Sequence, residues 1–319
     1  MTEISKLKRQ PLLKDLAYEW LESLKRTRRK STIVKYSNQL SKHIIPRFGN
    51  KRINKISNKD INSFANELLV KKNLSQKTTS DIISCMKSIR KYALNNNYNV
   101  LYLSDCLCAP PKDKKIQVLS IEEERRIIKH LRSNLTNINR GILVCLFTGL
   151  RVGELCALKW SDISLTYKEI YVKRTMQRLQ DLNPESSKKT FIEISEPKSK
   201  SSIRTIPIPD IIYKDIHESK VKEGFFLTGE SHHFIEPRTM ENHFKKVLKK
   251  CSINDSSIHI CRHTYATRCV EAGFDIKTLS EILGHSNVTI TLNRYVHPSI
   301  EQKHKNVMKL SQFLTFDEC

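Results

Sequence analysis

A chain of 319 residues with 56 lysines and arginines against 33 aspartates and glutamates carries a formal charge of +23, long enough for two domains with buried cores and basic enough to favour a polyanionic partner. Nine cysteines, an odd number with no CxxC pair, argue against a disulfide scaffold or a zinc ribbon. No stretch reaches the roughly 18 apolar residues of a membrane span, and the opening MTEISKLKRQ holds neither an apolar run nor a cleavage-like site. A cytoplasmic protein without membrane partners is expected.

In the first third, Leu12, Leu13, Leu16, Trp20, Leu21 and Leu24 recur at helical spacing and define one buried face. A basic run at 26–30, RTRRK, precedes a second periodic segment with Ile33, Tyr36, Leu40 and Ile44, which Pro46 and Gly49 are expected to end. Ser57 and Asp60 are spaced to cap a third helix bearing Ile61, Phe64 and Leu68, and a fourth, near 76–94, buries Ile82, Met86, Ile89 and Tyr92. Four short amphipathic helices imply a small bundle. Pro110 and Pro111 cannot continue a helix, and Lys112, Lys114 and Lys115 add charge beside them. The expected division is a helical domain at 1–108, a linker at 109–117 and a second domain at 118–319.

The second domain opens on a capping box, Ser120 with Glu123, followed by Ile127, Ile128 and Leu131 on one face. A buried helix over 142–147, ILVCLF, leads into Thr148 and Gly149, a break that presents Arg151 at the head of the next helix. Helix N-termini and guanidinium forks both favour phosphate oxygens. Glu154, three residues on, suits the orientation of a nearby basic group. The period then changes: 169–176, 190–196 and 203–208 alternate polar and apolar residues as strands do, and the last two flank a tight polar PKSKSS segment and are expected to pair as a hairpin. Residues 225–227 read as an edge strand or core segment, and 242–250 as a basic amphipathic helix.

The segment 257–297 concentrates the chemistry. His259 and Arg262 lie three apart, on one helix face; His285 follows Leu283 and Gly284; Tyr295 sits on a short amphipathic segment between Asn287 and Pro298. His263, next to Arg262, is expected to face elsewhere on its helix in a buried hydrogen-bonding role. Zinc ligation by His259, Cys261, His263 and Cys269 fails because residues two apart on a helix diverge. Guanidinium groups, imidazoles and a phenol suit a phosphate-handling nucleophile site rather than a metal cage, and no metal or other cofactor is expected.

Arg151 in TGLRVGEL, His259 and Arg262 in HICRHTYAT, His285 in LGHS and Tyr295 in NRYVH, in that order, resemble the tyrosine recombinase (phage integrase) family. The resemblance covers the C-terminal two thirds motif by motif, and the N-terminal third in length and helical pattern only. It implies a mainly α fold with a small antiparallel β-sheet: an N-terminal helical core-binding domain and a C-terminal mixed α/β catalytic domain. It implies site-specific DNA strand exchange, such as integration or excision of a mobile element, through a 3′-phosphotyrosyl intermediate on Tyr295, with Tyr265 and Tyr171 as rival phenols. Arg151 and Arg262 would clamp the phosphate oxygens, and His259, or His285 through the phosphate, would supply the positive field and the base. The family carries its catalytic lysine on a hairpin; Lys198 matches best, with Lys200 as rival.

The same resemblance makes Arg28, Arg29, Lys30, Lys77, Lys87 and Arg90 candidate DNA contacts. It implies double-stranded recombination sites as partners, a homo-oligomer on DNA, namely a tetramer, and accessory DNA-bending or directionality proteins. So few residues precede the first helix that no arm-binding domain is expected. A last helix at 300–313 would pack into a neighbouring subunit or onto its own domain. Two alternatives stay open. A non-catalytic DNA-binding regulator on this fold would form no covalent adduct, whereas a type IB-like topoisomerase would relax any supercoiled plasmid.

Overall fold

The structure, a computed structural model, describes residues 10–101, 116–183, 185–219 and 223–296, with residues 300, 304, 307 and 308. Most of the expected linker, 109–117, and of the expected last helix, 300–313, lie outside the described residues. The chain divides into two compact units, one of 1–114 with 179–191 and the other of 115–178 with 192–319. Among the described residues no helix is long and apolar enough to cross a membrane.

The first unit is helical. α1 (Leu13–Leu24) buries Leu13, Leu16, Ala17, Trp20 and Leu21, the face its spacing predicts. α2 (Lys30–Gln39) does not stop before Pro46: it passes through a π-helical turn, Leu40–Ile44, into α3 (Ile45–Phe48). A proline lacks the N–H that a regular helix would use, and the wider turn ahead of it changes the bonding register there, so the chain continues past Pro46 and ends, as expected, at Gly49. α4 (Asn58–Asn66) starts on a Ser57/Asp60 capping box, and α5 (Gln76–Asn95) buries Ile82, Met86 and Ile89. Phe48 and Phe64 meet edge to face, 5.1 Å between centroids, inside this core.

The second unit is mixed. α6 (Ile121–Ser133) begins on the Ser120/Glu123 capping box. α7 (Asn137–Thr148) packs against α6, α8 (Val152–Ala157), α9 (Asp210–His217) and α11 (His259–Glu271). A helix covered on several sides needs no polar face, which is why 142–147 is continuously apolar. β1 (Ile163–Ser164), β2 (Glu169–Val172) and β5 (Arg204–Pro207) form one antiparallel sheet in the order β1-β2-β5, with Ile170 opposite Ile206 and Val172 opposite Arg204. β3 (Thr175–Gln180) and β4 (Thr190–Ser195) form a separate pair. The expected hairpin between 190–196 and 203–208 is therefore corrected, for alternation identifies a strand without naming its partner. Here β5 goes to β2, where Ile170, Val172 and Ile206 join the main core. Phe225, Phe226 and Leu227 belong to that core, with Phe225 bridging to Lys159. α10 (Pro237–Lys250), α12 (Ile276–Leu283) and α13 (Val288–Tyr295) complete the unit.

Candidate active site

Two helix C-termini anchor two arginines. α7 closes on Gly149 and α12 on Gly284, both left-handed, with φ 65° and 66°. Arg262, on α11 and only 2% exposed, donates from Nη1 to the Gly149 carbonyl (2.8 Å) and from Nη2 to the Leu283 carbonyl (2.7 Å). Arg151, the N-cap of α8, donates from Nη2 to the Gly284 carbonyl at 3.2 Å. Each guanidinium is thus held by the turn that belongs to the other's neighbourhood, and helix C-terminal carbonyls carry the negative partial charge that suits a cation. A Cβ at Gly149 would come within 2.7 Å of the Tyr265 ring, so glycine is required there for space as well as for φ.

Glu154 ties this arrangement together. Its buried carboxylate, 3% exposed, accepts from Arg151 Nη1 (2.7 Å) and the Arg151 backbone N–H (3.0 Å), and from Arg204 Nη1 (3.1 Å) and Nη2 (3.0 Å). Burial works to raise its pKa, but Arg204 and then Arg151 outweigh it and hold the carboxyl below its ordinary value. Burial, then Arg151, push Arg262 down to about 9, so it remains protonated at neutral pH. Three guanidinium groups around one carboxylate leave the cluster net positive, the electrostatic setting for an anion.

The imidazoles and the phenol close the site. His285 Nε2 accepts from Arg262 Nη2 at 2.9 Å, so its Nδ1 carries the proton and donates to the buried Thr291 hydroxyl at 2.8 Å. Burial, then Arg262 and Arg151, depress its pKa to about 3. Tyr295, at the end of α13 and 6% exposed, packs its ring with Ala266, Cys269, Leu279 and Leu283, parallel to the His285 ring at 6.4 Å between centroids. Its hydroxyl leaves that cluster to hydrogen-bond with His263 Nδ1 at 2.8 Å and with Arg294. His263 in turn meets His259 edge to face at 4.6 Å. Burial first, then cationic neighbours, lower both imidazoles to about 4, so both are neutral at pH 7; for His259 the next contribution is His263, for His263 it is Arg294. Burial raises the Tyr295 pKa, while Arg262, Arg294 and Arg151 pull it the other way.

Five of the six expected catalytic residues therefore converge: Arg151, Arg262, His285 and Tyr295 directly, and His259 beside His263. Lys198 is exposed on the connection between β4 and β5, after the buried Pro197, and Lys200 is exposed in the 3₁₀ turn that follows. That connection lies against the His285 turn, with the Ser201 carbonyl 3.1 Å from where a Gly284 Cβ would stand. The rival phenols are occupied elsewhere. Tyr171 donates to Glu169 at 2.6 Å, and Tyr265 is half-buried with Cys269 as its partner.

The expected hydrogen-bonding role of His263 is seen in its bond to Tyr295, but its expected direction, away from the site, is corrected. Positions 259 and 263 are four apart and share a helix face, so the spacing that joined His259 to Arg262 also signalled His263. Arg204 was missed because an alternating strand reads as polar-outward, yet its side chain is 6% exposed. Thr291 carried no sequence signal. Of the candidate DNA contacts, Arg28, Arg29, Lys30, Lys77 and Lys87 are exposed. Arg90 is corrected: it lies four residues from Met86 and next to Ile89, within the apolar stripe of α5, and is 7% exposed.

A helical unit followed by a mixed unit whose arginines and imidazoles gather near one phenol is an arrangement suited to phosphodiester chemistry. The profile of the phage integrase family matches residues 117–302, and that of the phage integrase N-terminal SAM-like domain matches 12–69. A tyrosine recombinase XerC-like protein of Caldanaerobacter subterraneus subsp. tengcongensis is 30% identical over 94% of this chain and 82% of its own length. The fold is shared with the Tn1549 transposon integrase in complex with a circular intermediate DNA (TM-score 0.76, 20% identity, 94% of this chain and 99% of that one). It is also shared with a lambda integrase tetramer bound to a Holliday junction (TM-score 0.64, 16% identity, 91% and 78%). The chain belongs to the phage integrase family of tyrosine recombinases, and is a site-specific DNA recombinase that breaks and rejoins strands.

Proposed function

We propose that this recombinase moves a mobile element, acting in the cytoplasm at specific double-stranded DNA sites through Tyr295. The observation that carries the assignment is the Tyr295 hydroxyl, held by a neutral imidazole within the field of Arg151 and Arg262. The transposon integrase with the same fold supports the mobile-element assignment, and the lambda integrase tetramer supports a tetramer on DNA. Accessory DNA-bending or directionality proteins fit the same scheme. Residues 1–108 would form the DNA-gripping helical domain, 109–117 the linker and 118–319 the catalytic domain, with Arg28, Arg29, Lys30, Lys77 and Lys87 on phosphates.

A phosphodiester carries one negative charge, and its five-coordinate transition state places more on the non-bridging oxygens. Arg151 and Arg262 donate to those oxygens, with bonds that strengthen as charge builds. Because both are already fixed by backbone carbonyls, little reorganisation accompanies the reaction. His285, turning its Nε2 from Arg262 to the phosphate, adds a third donor, and the Thr291 hydroxyl can follow either tautomer because it donates and accepts. His259, neutral at pH 7, stands edge to face against His263 beside the phenol. Tyr295 attacks phosphorus as its phenolic proton passes to an imidazole of the site, and the departing 5′ oxygen takes a proton from Lys198, whose exposed loop leaves its ammonium mobile. The phosphotyrosyl bond keeps the energy of the broken phosphodiester for religation. A nicked suicide substrate carrying an element end tests this: the protein forms a denaturant-stable DNA adduct and Tyr295→Phe forms none. Adduct formation by Tyr295→Phe, or no adduct with either protein on any element end, contradicts the assignment. Relaxation of plasmids lacking such an end points to a topoisomerase instead.

A further inference from the structure

Two groups meet the reacting oxygen, the Arg294 guanidinium and the His263 imidazole, and only the imidazole can take up a proton; the reaction as described does not single it out. His263 Nδ1 accepts the Tyr295 hydrogen bond at 2.8 Å, whereas His259 meets the phenol's neighbourhood through the His263 ring. The backbone that carries His263 is pinned on both sides. Arg262 is bonded to Gly149, Leu283 and His285, and the buried Thr264 hydroxyl accepts from the Leu119 N–H at 2.9 Å. An imidazole between two such anchors is a fixed acceptor, and the phenol comes to it on α13. We infer that His263 takes the phenolic proton of Tyr295 during attack and returns it during religation. Tyr295 as the nucleophile is the premise.

The step balances without a further reagent. The Oη–H bond breaks as its proton passes to His263 Nδ1, and the freed electron pair forms the bond to phosphorus. The bond from phosphorus to the 5′ oxygen breaks, and that oxygen is protonated by Lys198. In religation the 5′ hydroxyl attacks, the phenolate leaves and His263 gives the proton back. The transfer uses the tautomer of the neutral ring in which Nδ1 accepts from the phenol and Nε2 carries the proton. After transfer, the imidazolium stands beside a phosphate whose negative charge is growing.

The same geometry makes proton acceptance depend on DNA. Besides burial, the influences holding His263 neutral at rest are the positive charges of Arg294 and Arg262. A phosphodiester bound by Arg262 offsets that charge, so the imidazole gains basicity when the substrate is present and not before. The phenol itself is held protonated by burial, and a site of this kind protects the chain from idle ionisation.

Three variants on a nicked suicide substrate, read as single-turnover adduct formation with saturating DNA, test the role. Asparagine places an acceptor oxygen near the Nδ1 position but no basic nitrogen, so His263→Asn keeps the hydrogen bond and loses the base. Both His263→Asn and His263→Ala are expected to slow adduct formation by about 10²-fold or more, the lower bound for positioned proton transfer, with DNA affinity unchanged. Added imidazole restores part of the His263→Ala rate and none of the His263→Asn rate. A His263→Asn protein that reacts at the wild-type rate overturns the inference and leaves a positioning hydrogen bond. Tyr295→Phe is the separate control: an adduct formed by it removes the premise, whereas no adduct from Tyr295→Phe together with a fast His263→Asn removes only the proton-acceptor role.

Discussion

Arg262 in the catalytic unit is 2% exposed, with both terminal nitrogens engaged by backbone carbonyls. Lys77 in the helical unit has a side chain 73% exposed and pairs with Asp81, one helical turn away, at 3.3 Å. Both are cations on a protein that handles DNA, yet they are set for different work. A buried guanidinium is screened little by salt and has to be braced by the fold, which suits the single phosphate proposed for it; the surface ammonium groups, as proposed, would supply attraction that any phosphate satisfies. On the proposed function, position would belong to the first region and affinity to the second.

Removing the brace tests the first region most severely. Glu154→Ala leaves the buried Arg204 without its carboxylate beside the half-buried Arg151 and is expected to lower unfolding free energy by about 3–5 kcal/mol in denaturant titrations. A loss near that of a surface ion pair would break the comparison. Next in size, Arg262→Gln is expected to slow adduct formation by about 10²–10³-fold at saturating DNA, the effect of deleting one preorganised donor. Arg29→Ala in the same assay should leave that rate unchanged.

Acid sharpens the comparison further. His259 and His263 stay neutral in the folded chain down to about pH 4 and His285 to about 3, against 6.5 when unfolded. Between these values the unfolded chain binds more protons, so stability falls as pH drops from 6.5 towards 4. Thermal melts across that window should show the loss, and His263→Asn should reduce it. The smallest effect belongs to the surface. Replacing Arg28, Arg29 and Lys30 together by alanine should weaken DNA binding and flatten the slope of log K against log salt by about 0.9 for each phosphate no longer neutralised.

What was readable in the sequence was local in the chain. The caps at Ser57 and Ser120 were visible because their partners sit three residues away, and Arg151, Arg262, His285 and Tyr295 because each lies in a compact motif. What was hidden depended on distant parts of the chain. Nothing along β5 says that it pairs with β2 rather than β4, or that Arg204 turns inward to Glu154. Pro46 reads as a stop until the π-helical turn before it is seen. Arg90 reads as a surface cation because a single charge inside an apolar stripe is invisible without the packing that covers it. His263 is the instructive case, since its four-residue spacing from His259 was in plain sight and only its meeting with Tyr295, across two helices, gave that spacing meaning.

The most direct test of the whole account is chemical identification of the DNA-linked residue. A trapped adduct, digested with protease and nuclease and sequenced by mass spectrometry, should carry its nucleotide on Tyr295 through a 3′-phosphate, with a free 5′ hydroxyl on the released strand. Attachment at Tyr171, Tyr265 or a serine, or a linkage through a 5′-phosphate, would contradict it.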